Sequence, residues 1–245
     1  MLGLGMSLEY ARSRGGGGGD ANFSNTILLL GFNGPDGATT TLDESFKMRG
    51  APTFHGDAQI DTSIAAFGAG SLQLSGAGKI TYPDHADFYM AGNDFTIELW
   101  TRFNSTAGFQ NLIGQSDISA NGAFNLDAVN GTILRARFQL VSDGMVNMQN
   151  TWNYAINTQY HVVLERSGST FRTYAGGVMI AKLAGLTNQM VDDIQDITIG
   201  SLTTAGAGIT NGANARIDEV RITKGAALYN NDAGFTPPIT AFPRS

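Results

Sequence analysis

The chain has 245 residues, of which 32 are glycine, none is cysteine and only 15% are charged, with a net charge of −6. The lack of cysteine excludes disulfides, thiolate zinc sites and a cysteine nucleophile. The acidic balance argues against nucleic acid as a partner, because phosphate binding needs clustered Lys and Arg, and no apolar run approaches the roughly 20 residues of a membrane-spanning helix.

The chain divides near residue 20. Met1 to Arg14 is followed by five consecutive glycines, Gly15 to Gly19, a flexible linker by composition. The first basic residue is Arg12, which follows the apolar part, so the pattern of a secretory signal is not met. Residues 1–20 therefore read as an arm with its linker and residues 21–245 as one domain, a length that β-sandwiches reach as single domains.

Beyond the linker, short strands alternate with turns. Thr26 to Phe32 is a short apolar run that suits a strand buried on both faces, and Asn33-Gly34-Pro35-Asp36-Gly37 is a dense turn signal. Short strands are expected at Ala58–Asp61, Ser71–Leu74, Lys79–Tyr82 and Ile197–Gly200. Phe95 to Phe103 alternates clearly: Phe95, Ile97, Leu99, Thr101 and Phe103 share one face, while Thr96, Glu98, Trp100 and Arg102 share the other. Leu134, Ala136, Phe138 and Leu140 repeat the pattern against Arg135, Arg137 and Gln139. Tyr160 to Leu183 reads as a three-strand antiparallel meander, with turns at Ser167-Gly168-Ser169 and Gly176-Gly177. Arg216 to Thr223 completes the set, and a single helical turn is the most that fits Ala226 to Tyr229. The pattern predicts an all-β, two-sheet antiparallel sandwich or jelly roll.

Four segments in order carry a resemblance: Gly68–Phe88, Asn93–Phe103, Tyr160–Gly177 and Ala215–Pro238. Together they resemble the concanavalin A-like lectin/glucanase superfamily in its laminin-G-like branch. The opening LLLGFNGPDGATTTLDES and the closing IDEVRITKGAALY with FTPP are most similar to copies in structural proteins of tailed bacteriophages. The resemblance implies a jelly roll with an N-terminal extended arm, displayed on a virion exterior as a head decoration or fibre-type subunit. It implies anchoring to other virion structural proteins through residues 1–19, with Met1, Leu2, Leu4, Met6, Leu8 and Tyr10 as contacts, in a homo-oligomer or lattice. The alternative is a glycan-binding, lectin-like adhesion module of a bacterial surface protein, and host glycans are partners that suit both settings.

A third function, glycan cleavage, is disfavoured by the residues. Glucanases of the superfamily carry an E-x-D-x-E-like run, which this chain lacks; Glu98 is the only acid on its strand face, and adjacent Asp218 and Glu219 point apart unless a bulge intervenes. Asp192, Asp193 and Asp196 suit a solvated loop. No G-x-S-x-G elbow exists, and His161 and Glu165 stand about 13 Å apart on a strand. No cofactor is expected. Calcium is the metal the resemblance allows, with Asp43, Asp218 and Glu219 as candidate ligands; Lys47 and Arg49 repel a cation there, which favours these acids capping turns or pairing with Arg216, Arg221 or Lys224. For a glycan, Trp152 and Tyr154, in an expected loop, and Trp100, on the polar side of its strand, are the candidate stacking rings, with Asn121–Asn130 supplying amides. Packing of Trp100 under a loop is the competing reading.

Overall fold

The computed structural model describes residues 19–116, 122–203 and 208–245, so the arm residues Met1, Leu2, Leu4, Met6, Leu8 and Tyr10 lie outside what is described. The first strands are β1 (Thr26–Leu30), β2 (Thr53–Gly56), β3 (Gln59–Asp61), β4 (Ser71–Ser75), β5 (Gly78–Tyr82) and β6 (Phe95–Phe103). Next come β7 (Phe109–Ser116), β8 (Gly122–Val129), β9 (Ile133–Leu140), β10 (Gly144–Thr151), β11 (Gln159–Ser167) and β12 (Thr170–Ala175). The last are β13 (Val178–Leu183), β14 (Ile197–Ile199), β15 (Leu202–Thr203), β16 (Ile209–Thr210) and β17 (Asn214–Lys224). Among the described residues there is no α-helix, only a 3-10 turn at Phe23–Asn25.

Two antiparallel sheets carry the fold. One runs β13-β12-β11-β6-β17-β4-β3, with β1 also paired to β17; the other runs β10-β9-β8-β7-β14-β5-β2. The alternation in β6 and β9 decides which face turns inward. Ile97 and Leu99 from the first sheet meet Phe124, Leu126, Ala136 and Phe138 from the second in one apolar core, and Phe138 stacks on Phe171 across the sheets with centroids 4.1 Å apart. This is the two-layer jelly-roll sandwich that the strand pattern predicts.

Each sheet also has an outer face, and the two are treated differently. Residues 225–245 form a strap over the outer face of the eight-stranded sheet. Ala226 to Tyr229 is not a helical turn but irregular chain with a bend at Leu228, and its amides serve the sheet beneath. Leu228 N donates to Thr96 Oγ1, and the amides of Tyr229 and Asn230 donate to the Glu165 carboxylate, each at 2.7 Å. Phe235 N donates to Gly177 O. A Cβ on Gly177 would strike the Phe235 carbonyl, so the glycine serves the strap's close approach as well as its own positive φ of 79°. The chain's start joins the same face: Asp20 N donates to Ser245 O, and Asp20 pairs with Arg221 at 2.9 Å.

Beneath the strap lies a sealed ionic layer. Glu98, wholly buried, accepts from Arg221 Nε at 2.7 Å, from the Tyr229 hydroxyl at 2.6 Å and faces His161 Nε2 at 2.8 Å. Burial alone raises a carboxyl, but Arg221, with His161 and Tyr229, overrides it and holds Glu98 below the usual carboxylate range. The Arg221 guanidinium also lies over the Phe242 ring of the strap, 4.3 Å from its centroid. A buried charge stripped of its partner is far costlier than the pair was worth. Arg221→Ala is accordingly expected to lower unfolding free energy by about 3–5 kcal/mol in urea denaturation, and a loss under about 1 kcal/mol would contradict a sealed pair.

Candidate functional site

Three places compete for function: the sealed layer, the aromatic loop after β10, and the open outer face of the seven-stranded sheet. The sealed layer has the chemistry of an acid–base pair but not the access. Glu165 is pushed up by burial, against the Tyr229 and Asn230 amides it accepts, while Glu98 is held low. Divergent carboxyls of this kind mark many active sites. Here both are 0% exposed and both are engaged by the strap, so no substrate reaches them. His161 and Glu165 do not pair with each other; each serves a different partner.

The expected aromatic platform is turned inward. Trp152 is 8% and Tyr154 5% exposed. Their backbone amides bind Thr132 O and Gly131 O, which folds the loop over the open end of the sandwich. There the rings pack on Phe103, with centroids 6.0 Å and 4.3 Å away, and Trp152 also meets Tyr160. Two large rings are worth more as a plug on the core than as exposed surface. Trp100 is half-buried on the strap side, wedged between Phe67 and His161 with centroids 5.3 Å and 5.2 Å away, beneath the loop that follows β3.

The calcium candidates are likewise filled by N–H donors. Asp43 accepts from the amides of Leu29, Ser45 and Arg49 and from the Ser45 hydroxyl. A bulge does intervene at Asp218 and Glu219: the register with β6 shifts there and Glu219 has φ 48°. Both carboxylates thus reach the outer side. Asp218 accepts from the amides of Ala66 and Phe67, and Glu219 from Phe242 N and Arg244. No cluster of three metal-ligating side chains occurs among the described residues.

The open face is built differently. Asn121–Asn130, expected to supply amides beside Trp152 and Tyr154, contains strand β8, whose Phe124, Leu126 and Ala128 point into the core while Asn125 and Asp127 lie on the other side of the sheet. The register aligns side chains in rows across the sheet. One row runs Thr81, Thr198, Gly114, Asn125, Arg137, Asn147 from β5 to β10. The next runs Asn111, Asp127, Arg135, Gln149. These groups bond into a ladder. Asn111 Nδ2 donates to Asn125 Oδ1 at 2.5 Å, Asn125 Nδ2 donates to Asp127 Oδ2 at 3.0 Å, and Arg135 grips Asp127 with Nε at 2.9 Å and Nη2 at 2.6 Å. Phe109 lies under the Arg135 guanidinium and is 40% exposed, and Met145 is 38% exposed at the far edge. Asn111, Asn125 and Asp127 are themselves buried, so what the face presents outward is the partly exposed Arg135 and Arg137 and the exposed Asn147 and Gln149 of β10, with apolar surface beside them. In the described strands, Asp127 is the only carboxylate on it, so the paired acids of a glycosidase are not assembled there. The alternation of β9 was the sequence signal for this face; the amides of Asn121–Asn130 were visible too, but not that β8 is a strand.

Residues 74–228 match the family described as the Concanavalin A-like lectin/glucanases superfamily. No curated protein matches the sequence. Among solved structures, the binding domain of Paraclostridial Mosquitocidal Protein 1 is similar with a TM-score of 0.64 and 16% identity, over 85% of this chain and 50% of the other. The binding domain of botulinum neurotoxin DC in complex with SialylT gives 0.61 and 16%, over 84% and 50%. Botulinum neurotoxin type C, described as dependent upon interaction with two ganglioside molecules to get into cells, gives 0.60 and 18%, over 84% and 49%. The chain thus spans about half the length of these structures, and at such identity the likeness is one of fold.

Asp218 supplies a pH test of the strap side. Burial, with Glu219 alongside, pushes its carboxyl up to about 7 against the amides it accepts. The folded chain then binds a proton that the unfolded chain, with a carboxyl near 3.8, has released. Its contribution to stability is present below that lower value and is lost as pH rises through about 7. The side-chain carboxyl carbon of Asp218 is expected to titrate by NMR with a midpoint near 7; a midpoint in the ordinary Asp range contradicts the assignment.

Proposed function

Because the chain belongs to the concanavalin A-like lectin/glucanase superfamily, we propose that it is a non-enzymatic glycan-binding display protein whose ligand lies on the open face of the seven-stranded sheet. The observation that carries this reading is the hydrogen-bonded ladder Asn111–Asn125–Asp127–Arg135 on that face. The buried ladder fixes Arg135 on its strand beside exposed Asn147 and Gln149 of β10; such groups suit sugar hydroxyls, each of which donates and accepts, and exposed Phe109 gives an apolar sugar face something to cover. Ganglioside dependence of the type C neurotoxin, a protein of this fold, supports the ligand class.

The setting we propose is the exterior of a virion, with residues 1–19 as the anchor to other virion structural proteins. The phage-like opening and closing segments support it. So does the direction of the chain: Asp20 joins the strap face, opposite the ladder, so an anchor ahead of it leaves the ladder pointing outward. Adhesion from a bacterial surface is the second setting that the same face serves.

A glycan array probed with the full chain is expected to show binding that falls at least tenfold in Asn147→Ala, whose side chain is exposed on this face, while thermal unfolding stays cooperative. No binding to any glycan would remove the reading. Deletion of residues 1–19 is expected to leave glycan binding intact and abolish incorporation into particles, and normal incorporation of the shortened chain would remove the anchor.

A further inference from the structure

The charges on the open face are unevenly paired. Both Asp127 oxygens are taken by Arg135, and Asn125 adds a third donor. Arg137, two residues along β9, reaches the same carboxylate only at 3.6 Å. It makes no hydrogen bond among the described residues, and its Nε is enclosed without an acceptor. Two guanidinium groups therefore share one carboxylate that is already filled.

That arrangement is unfavourable as it stands. A guanidinium has five N–H donors and keeps its proton, and a polar group left short of acceptors retains its desolvation cost. Burial first, and then Arg135 beside it, push the Arg137 pKa down, and an incoming anion supplies the opposite charge that offsets the repulsion from Arg135. The excess of positive charge is local, since the chain as a whole carries −6. Asn125 and Asn147 flank Arg137 in its row, one on each neighbouring strand. Asn125 is buried and engaged by Asn111 and Asp127, whereas Asn147 is exposed, so an anionic group bound at Arg137 would lie beside one amide able to hold a hydroxyl.

Resting on the glycan reading above, we propose that the ligand of this face is an anionic glycan, and that Arg137 takes its carboxylate or sulfate group. Both groups present two oxygens at the spacing of the guanidinium fork, and a carboxylate-bearing sugar or a sulfated one supplies that chemistry equally. Asn147 then binds a neighbouring hydroxyl, and Arg135 stays locked on Asp127 as a positioning group.

The test uses the full chain on an array of matched oligosaccharides: neutral, uronate-containing or sialylated, and sulfated. At least one anionic class is expected to bind at least tenfold tighter than its neutral parent, with affinity that falls as salt rises. Which class does so tells the two sources apart. Arg137→Gln is expected to remove that preference and leave the weaker neutral binding. Equal binding of neutral and anionic members, or a preference that survives Arg137→Gln, overturns this inference while leaving the glycan reading standing; no glycan binding at all overturns both. As a readout independent of how the variant folds, the Arg137 Nε–H resonance of the unaltered protein is expected to move on titration with sodium glucuronate and to stay fixed with glucose. Equal movement with both sugars, or none with either, contradicts the assignment.

Discussion

The Glu98–Arg221 ion pair, closed beneath residues 225–245, is the contact on which the division of labour between the two outer faces rests. A β-sandwich satisfies its core with the two inner faces and is left with two outer ones. On the eight-stranded sheet the outer face carries charges that water does not reach, so it needs a cover that brings hydrogen-bond partners with it. The strap does this with main-chain amides for Glu165 and Glu219, a hydroxyl for Glu98 and a ring for Arg221. Removing the cover would expose no binding site; it would strand buried ions.

The consequence is a molecule with a back and a front. The back gathers both ends of the described chain at Asp20 and Ser245. The front keeps a buried ladder of polar side chains, Asn111, Asn125 and Asp127, beneath partly exposed Arg135 and Arg137. Asn125, Asp127 and Arg135 sit on strands of a sheet braced by the core, which gives them fixed spacing without loop ordering on binding. For the display role proposed above, this geometry would separate attachment from recognition, so that either could be altered without disturbing the other.

Much of the fold was legible in the sequence because period-2 alternation is a direct consequence of a sheet with one buried face. Phe95–Phe103 matches β6 end to end, and the meander from Tyr160 to Leu183 becomes β11, β12 and β13 as its glycines imply. The aromatic site was not legible. Trp152 and Tyr154 follow a strand and read as a surface loop, and only the three-dimensional closure of the sandwich end turns them onto Phe103. The same holds for Glu98, solitary along its strand. Its partners Arg221 and Tyr229 come from more than a hundred residues away, brought there by a bulge in β17 and by the strap. The ladder was half legible: Arg135 and Arg137 were visible on one face of β9, whereas their meeting with Asp127 depends on a register between neighbouring strands.

The central claim is that the open face of the seven-stranded sheet is where this chain meets its ligand. The most direct measurement is amide chemical-shift mapping of the labelled protein during titration with its best-binding oligosaccharide. The account predicts that the shifted resonances cluster in β8, β9 and β10 around Asn125, Arg137 and Asn147. Shifts centred on the strap, or on the loop of Trp152 and Tyr154, with β8 to β10 unmoved, would contradict it.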